Sequence, residues 1–159
     1  MTDPVLHIVL VEPQIPQNTG TIGRLCVATG ARLHLVEPLG FEIDEKRVRR
    51  AGLDYWKHVD LHLHPTWEAC RGAIQVPEDR WWFFSTHADK TYDDASYQNG
   101  DVLVFGKETK GLGPALLDQF RSQSRTIPLL GPVRSLNLST SVGIVTYEAL
   151  RQMKMWSSH

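Results

Sequence analysis

Cysteine is scarce in this sequence, since Cys26 and Cys70 are the only two among 159 residues. Neither has a neighbouring cysteine or a histidine at metal-ligand spacing, so the sequence contains no disulfide framework and no cysteine-based metal motif. Cys26 lies at helical spacing from Ile22 and Thr29, which predicts a buried apolar thiol. Two unpaired thiols favour a reducing compartment.

Long hydrophobic runs and an excess of one charge are also missing. No apolar run approaches the length of a membrane span, and the stretch MTDPVLHIVLVEP lacks the basic start and cleavage site of a signal peptide. We therefore expect a cytoplasmic protein without a membrane partner. The formal net charge is −1, from 17 Lys and Arg against 18 Asp and Glu. This balance argues against a protein that coats nucleic acid through bulk charge.

A local basic patch is nevertheless present. The sequence predicts a short cationic helix between Asp44 and Gly52, and two further basic residues follow it. The cluster consists of Lys46, Arg47, Arg49, Arg50, Lys57 and His58. Taken alone, such a run is more typical of a solvated helix face than of a binding surface.

Apolar strands alternate with helices along the chain. The strand predictions are 7–11, 33–36, 81–85, 102–105 and 126–130, with a weaker edge strand at 60–63. These runs are continuously apolar, which predicts a mostly parallel sheet with helices on both faces. The composition does not change along the chain and no linker is present, so we expect a single α/β domain over residues 1–159.

Each helix is predicted from a cap or a proline at its start. For the first helix the candidate caps are Asn18 and Thr19, and Gly30 is expected to end it after Thr29. The later helix predictions are 67–74 after a Thr66 cap, 115–120 after Pro114, and a final helix capped by Asn137 or Ser139. The final helix has a broad apolar surface, which suggests burial on two sides, one of them against another subunit.

Three segments rich in glycine and asparagine fall at successive strand ends. They are PQNTGTIGRLC at 16–26, LVFGKETKGLG at 103–113 and GPVRSLNLSTSVGIVTYEALRQ at 131–152. Because ligands bind at the carboxyl ends of strands in an α/β sheet, these loops predict a ligand site. Neither the GxGxxG order nor the GxxxxGK[ST] order is present, so none of them is a standard phosphate loop.

Individual residues in these segments leave alternatives open. Arg24 lies in an otherwise apolar helix, where it fits an internal ion pair, for example with Glu108, as well as a phosphate or transition-state contact. A tight turn explains the glycines near Glu108 but gives that carboxylate no structural role.

The third segment and the histidines also allow more than one interpretation. The stretch from Ser135 to Ser139 suits a helix N-cap, and it also suits a pocket where backbone amides bind and leucines pack on a flat ring. His62 and His64 share one face of a strand, but no third ligand accompanies them. We therefore expect no metal site.

Together, PQNTGTIGRLC, LVFGKETKGL and IPLLGPVRSLNLSTSVGIVTYEALRQ resemble the three motifs of the SPOUT methyltransferases, in the SpoU branch. The resemblance covers the whole chain. It is strongest to the small, single-domain members that methylate the tRNA wobble nucleotide, for which the stretch at 37–55 is typical. It implies a homodimer and an α/β fold with a C-terminal trefoil knot, although true knots are rare in proteins.

The resemblance further implies S-adenosyl-L-methionine as methyl donor, with S-adenosyl-L-homocysteine as product, bound in the knotted loops. The implied cofactor residues are Ser85, Thr86, Gly106, Ile127, Leu129, Ser135, Leu136 and Leu138. The implied catalytic residues are Asn18, Arg24, Glu108 and Asn137. Because arginine stays protonated, we expect Arg24 to stabilise the developing alkoxide and fix a phosphate rather than act as a base. Asn137 would contact the acceptor nucleotide or only cap the helix.

The implied substrate is the anticodon stem-loop of tRNA. The expected reaction methylates the ribose 2′-OH of a wobble cytidine or carboxymethylaminomethyl-uridine, notably in leucine tRNAs. The dimer itself would bind the RNA through Lys46, Arg47, Arg49 and Arg50, with Tyr55 or Trp56 stacking on a base. The alternatives are 2′-O-methylation of another tRNA position or of rRNA, and an RNA-binding module without catalysis.

Overall fold

A six-stranded sheet in the order β3-β2-β1-β5-β4-β6 organises the computed structural model, which describes residues 3–41 and 53–156. The strands are β1 His7–Val11, β2 Arg32–Val36, β3 Leu61–His64, β4 Trp81–Phe84, β5 Val102–Phe105 and β6 Ser124–Arg125. All pairings between these strands are parallel, which confirms the prediction from their continuously apolar sequences. The weak strand, β3, lies at an edge as expected.

The α-helices of the described residues cover both faces of this sheet. They are α1 Pro16–Thr29, α2 Trp67–Ala73, α3 Pro114–Gln119 and α4 Leu138–Gln152. Short 3-10 turns occupy Leu53–His58, Glu78–Arg80 and Arg121–Gln123. Within the same residues, no helix is long and apolar enough to cross a membrane.

The two faces of the sheet carry separate hydrophobic cores. On one face, Ile8 and Leu10 of β1 pack with Ile22 of α1 and Val142 of α4. On the other face, the core combines strand residues with residues of α2 and the end of α3, namely Val9, Phe83, Val104, Cys70 and Phe120. Cys26 is buried, which confirms the prediction of a buried apolar thiol, and this burial raises its pKa to about 12.

The start of α1 differs from the prediction. Pro16 occupies the first helical turn after Ile15, and Asn18 and Thr19 lie inside the helix, where both are buried. The prediction of a cap at Asn18 or Thr19 is therefore wrong, because a proline at the helix start outweighs a later capping residue. The end is as predicted, since Gly30 adopts the left-handed conformation with φ of 80°.

The last strand was also predicted at the wrong place. β6 ends at Arg125, and Thr126 forms only an isolated bridge with Thr91. Residues 127–137 contain neither helix nor strand. Leu130 in this stretch is 98% exposed, whereas Ile127 and Leu129 are half-buried. The apolar run IPLL thus belongs to a loop, and periodicity alone does not separate such a loop from a buried strand.

Two predicted helix caps are confirmed. Thr66 accepts a hydrogen bond from the Ala69 backbone N–H at 3.0 Å. At α4 the cap is Asn137, whose Oδ1 accepts from the backbone N–H groups of Ser139 at 2.9 Å and Thr140 at 3.4 Å. The basic helix predicted between Asp44 and Gly52, with Lys46, Arg47, Arg49 and Arg50, lies outside the described residues.

A row of hydrogen-bonded histidines crosses β1, β2 and β3. His7 Nδ1 lies 3.0 Å from His34 Nε2, and His34 Nδ1 lies 2.9 Å from His64 Nε2. All three rings are buried. Burial, aided by the Arg32 cation, lowers the pKa of His7 to about 4, and burial lowers that of His34 to about 2. These imidazoles are therefore neutral near pH 7, and His34 uses both ring nitrogens for its neighbours.

Candidate active site

A cavity of about 870 Å³ lies at the carboxyl ends of β4, β5 and β6. Its walls include Phe84 and Phe105, the last residues of β4 and β5, and Thr126 just after β6. The volume falls in the range of small-molecule sites in proteins, and the position is where α/β sheets bind ligands.

All eight residues predicted to hold the cofactor line this cavity. They are Ser85, Thr86, Gly106, Ile127, Leu129, Ser135, Leu136 and Leu138. They come from three separate segments, which follow β4, β5 and β6. The fold therefore brings together residues that the sequence places up to 53 positions apart, from Ser85 to Leu138.

One wall of the cavity is a turn that folds back on Gly106. The Gly111 backbone N–H donates to the Lys107 carbonyl at 3.2 Å and closes the turn. A Cβ atom on Gly106 would lie 2.4 Å from the Gly111 carbonyl carbon and 2.5 Å from the Leu112 nitrogen. Only glycine allows this close approach of two backbone segments.

Glu108 in this turn connects the cavity to the start of α1. Its Oε2 accepts from the Gln14 backbone N–H at 2.8 Å, and its Oε1 accepts from the Ile15 backbone N–H at 3.0 Å and from Asn18 Nδ2 at 3.4 Å. The N-cap of α1, Ile15, has no side chain able to accept these bonds. The view that Glu108 has no structural role is therefore wrong, because it supplies the missing acceptor.

Two neighbouring contacts join the same segments. Thr109 Oγ1 donates to Gln14 Oε1 at 2.8 Å, and Lys107 Nζ lies 3.5 Å from Glu12 Oε1. Three consecutive side chains of the turn thus contact residues 12–18. The segment at 16–26 therefore contacts the cavity through the segment at 103–113.

The four predicted catalytic residues occupy different surroundings. Of Asn18, Arg24, Glu108 and Asn137, only Glu108 lines the cavity. Asn18 is 5% exposed and reaches the cavity through Glu108. Arg24 is exposed, and the ion pair with Glu108 is not formed among the described residues. Asn137 uses its side-chain oxygen to cap α4.

Arg24 instead contacts the aromatic residue predicted to bind RNA. Its guanidinium carbon lies 5.6 Å from the centre of the Tyr55 ring, a cation–π distance. The Tyr55 hydroxyl donates to the Gly20 carbonyl at 3.1 Å. Trp56 packs on α1 so closely that a Cβ on Gly23 would lie 2.5 Å from its ring. Both aromatic side chains therefore anchor the 53–58 turn to α1.

Several charged residues of the cavity wall were not identified from the sequence. Lys110 and Arg134 line the cavity and are exposed. Arg121 also lines it, 2.6 Å from Asp118 and 3.8 Å from Asp89. The sequence feature that could have identified Lys110 and Arg134 is their position inside the KETKG and GPVRS stretches, which were already predicted to be ligand-binding loops. In the described residues no group of three or more His, Cys, Asp or Glu is arranged to hold a metal ion.

The model of the SpoU rRNA Methylase family matches residues 5–147. The chain belongs to this family. A relative from Burkholderia pseudomallei (strain 1106a), named tRNA (cytidine(34)-2'-O)-methyltransferase, is 46% identical over 149 residues, which cover 93% of this chain and 96% of the relative. The protein of the same name from Escherichia coli (strain K12) is 45% identical over 150 residues, with 94% of each chain covered.

Solved structures show the same architecture for SpoU family members. One described as "Structural insights into the 2-OH methylation of C/U34 on tRNA" is 44% identical, with a TM-score of 0.89, and the match covers 94% of this chain and 97% of that chain. The SpoU methyltransferase AviRb from Streptomyces viridochromogenes, solved with AdoMet, is 24% identical with a TM-score of 0.78, over 96% of this chain and 59% of that one. The latter likeness supports the fold alone.

Proposed function

We propose that this chain transfers a methyl group from S-adenosyl-L-methionine to the ribose 2′-OH of the wobble nucleotide in the tRNA anticodon loop. The observation that carries the proposal is the strand-end cavity lined by all eight expected cofactor residues. Its substrate follows from the relatives named tRNA (cytidine(34)-2'-O)-methyltransferase, which match this chain at 45–46% identity over nearly the full length.

The residues present suit this methyl donor. Aliphatic side chains of Ile127, Leu129, Leu136 and Leu138 line the cavity beside the hydroxyl groups of Ser85, Thr86 and Ser135. This combination matches a ligand with a flat apolar ring and several polar groups. When bound, S-adenosylmethionine supplies an activated methyl group on a sulfonium centre. The protein then has to hold the acceptor ribose in line with that group and exclude water.

We assign Glu108 the role of a positioning residue. It is hydrogen-bonded to two backbone N–H groups and to Asn18, so its carboxylate is engaged before any substrate arrives. Its contribution is to hold the cavity turn against the start of α1. Asn18 then acts by fixing the Glu108 carboxylate, and the main contribution of Asn137 is the cap of α4.

Arg24 is proposed as an RNA contact on the surface of α1. It lies six residues beyond Asn18, about 9 Å further along the helix. It is exposed, does not line the cavity, and neighbours Tyr55 in the turn that follows the basic stretch. We propose that Arg24, Tyr55 and the basic residues Lys46, Arg47, Arg49 and Arg50 contact the anticodon stem-loop.

The remaining features of the proposal concern assembly and specificity. The exposed rings of Tyr147, within α4, and Trp156, just beyond its end, lie 6.2 Å apart and support a homodimer of single-domain subunits. We also propose a trefoil knot in the C-terminal part and a preference for leucine tRNAs, both from family resemblance. The two free, buried cysteines support a cytoplasmic location.

The deciding experiment uses purified protein, methyl-labelled S-adenosylmethionine and unmodified total tRNA. The label would be mapped by nuclease digestion and mass spectrometry. The proposal predicts label on the 2′-oxygen of the wobble nucleotide, strongest in leucine tRNAs. Cofactor binding without labelled tRNA would overturn the substrate assignment and direct the assay to rRNA. Cofactor binding with RNA binding but no transfer to any RNA would identify a non-catalytic module.

A further inference from the structure

Two cations of the cavity wall have no carboxylate partner within the part of the chain that the structure describes. Lys110 lies on the turn after β5, and Arg134 lies on the irregular segment before α4. Both side chains are exposed and both line the same cavity. Two different loops thus bring unneutralised positive charge to the mouth of one site.

The other charged residues of this wall are accounted for by protein contacts. Arg121 pairs with Asp118 at 2.6 Å and Asp89 at 3.8 Å, and Lys107 lies 3.5 Å from Glu12. Glu108 is engaged by backbone N–H groups of the α1 start. Lys110 and Arg134 are therefore the cavity cations left to attract an anionic ligand from solvent.

We propose that Lys110 and Arg134 bind the phosphates that flank the acceptor ribose and so place its 2′-oxygen at the cavity mouth. The inference rests on the proposed function. A ribose that enters the cavity has a phosphate on each side, and phosphate contacts fix the register of a nucleic acid. Arginine binds a phosphate through two parallel N–H bonds, whereas lysine acts as a point charge.

This arrangement assigns two steps of RNA binding to different surfaces. The α1 surface around Arg24 and Tyr55 would hold the stem-loop, while the cavity cations act on the one nucleotide to be methylated. Arg134 directly precedes Ser135 and Leu136, two of the proposed cofactor residues. A phosphate on Arg134 therefore places the acceptor nucleotide beside the residues that hold the methyl donor.

The test compares Arg134→Gln, Arg134→Lys and Lys110→Gln with a matched control, Lys90→Gln. Lys90 is an exposed cation that does not line the cavity. Circular dichroism shows that each variant is folded, and tritiated S-adenosylmethionine binding then measures the cofactor site. Anticodon stem-loop RNA is then titrated at several salt concentrations, and kcat and KM are measured for methyl transfer.

We expect Arg134→Gln and Lys110→Gln to weaken RNA binding, by about tenfold for Arg134. Each should lower the slope of log affinity against log salt by about 0.7, the value for one single-strand phosphate. The KM for RNA should rise with cofactor affinity unchanged, and Arg134→Lys should restore part of the loss.

Three results would overturn the inference while leaving the proposed function standing. The first is RNA affinity and salt slope unchanged in both cavity variants of an active enzyme. The second is an equal loss in Lys90→Gln, which would show a general charge effect. The third is a matching loss of cofactor affinity, which would identify the anion as the carboxylate of S-adenosylmethionine. A wild-type protein without activity or affinity for tRNA would overturn both proposals together.

Discussion

The carboxylate of Glu108 joins the turn after β5 to Gln14 and Ile15, which lie 94 and 93 positions earlier in the chain. It accepts hydrogen bonds from the two backbone N–H groups of Gln14 and Ile15, at 2.8 and 3.0 Å. Unsatisfied N–H groups at a helix start cost stability, and negative charge there is favourable. At the scale of one residue, the cavity and α1 therefore depend on the same side chain.

Replacing Glu108 tests this dependence. We expect Glu108→Ala to lower the free energy of unfolding by about 1–2 kcal/mol, because two backbone donors lose their acceptor. Glu108→Gln keeps one oxygen and should lose less. The measurement is urea unfolding followed by circular dichroism, together with cofactor affinity, which should fall as the cavity turn loosens.

Glu12→Ala is the control for this pair of variants. Its contact with Lys107 is partly exposed at 3.5 Å, so the expected loss is under about 0.5 kcal/mol. If Glu108→Ala were as stable as Glu12→Ala, the hydrogen bonds at the start of α1 would not matter for folding.

The sequence identified Glu108 as a site residue but not its partners. No periodicity or cap motif connects position 108 with Gln14 and Ile15, because the contact exists only after β1 and β5 pair. The resemblance of the motifs predicted eight cofactor residues, and all of them line one cavity, whereas the isolated cations Lys110 and Arg134 matched no motif residue.

Among the elements of the fold, the turn after β5 has the tightest backbone packing at the site. We expect Gly106→Ala to destabilise the protein by about 1–3 kcal/mol, because its Cβ would lie 2.4 Å from the Gly111 carbonyl carbon. Cofactor affinity should fall with it. The measurements are urea unfolding and equilibrium binding of labelled cofactor.

Gly72→Ala is the matched control for this substitution. A Cβ at Gly72, within α2, would meet no atom within 4 Å. Alanine should therefore stabilise the helix by up to about 1 kcal/mol and leave cofactor affinity unchanged. Equal effects of both substitutions would remove the argument from close packing at Gly106.

Asn137 caps α4, and substitutions can distinguish this capping role from a contact with the substrate. We expect Asn137→Ala to cost about 1 kcal/mol of folding free energy, and Asn137→Ser to cost little, since serine is also a good cap. If capping is the role, Asn137→Ser keeps its methyl-transfer rate on tRNA. A Ser variant that unfolds like the wild type but transfers no methyl groups would instead place Asn137 in contact with the substrate.

Prediction from sequence worked best for features that depend on residues close together in the chain. The strands of the central sheet and the cap at Thr66 follow from apolar runs and side-chain chemistry. It failed for the stretch at 126–130, because an apolar wall of a cavity has the composition of a strand. It also failed at the start of α1, where the acceptor comes from a distant turn.

For the whole molecule, the histidine row ties stability to pH. His7 and His34 stay neutral in the folded protein down to about pH 5, because burial lowers their pKa values to about 4 and about 2, and burial also lowers the pKa of His64. In the unfolded chain they titrate near pH 6.5. Below about pH 6.5 the unfolded state binds more protons, so stability falls with pH, by up to about 1.4 kcal/mol per unit for each histidine. Urea midpoints measured from about pH 7 to about pH 5 should decrease.

Substituting a histidine inside the row and one outside it tests whether the row causes the pH dependence of stability. His34→Leu removes the central ring and should make stability less dependent on pH. His58→Gln should leave the dependence unchanged, because His58 is exposed and contributes to none of the three lowered pKa values. Equal pH dependence of the wild type and His34→Leu would exclude the histidine row as the cause.

The position of β1 in the middle of the sheet has a consequence for synthesis of the protein. β1 pairs with β2 on one side and, on the other, with β5, which begins at Val102. A chain emerging from the ribosome can form the β1–β2 pair early, but the other edge of β1 stays open until residues 102–105 follow. An unpaired apolar strand edge is prone to association. We therefore expect nascent chains that stop before β5 to be bound by chaperones, and chains extended past β6 to be released.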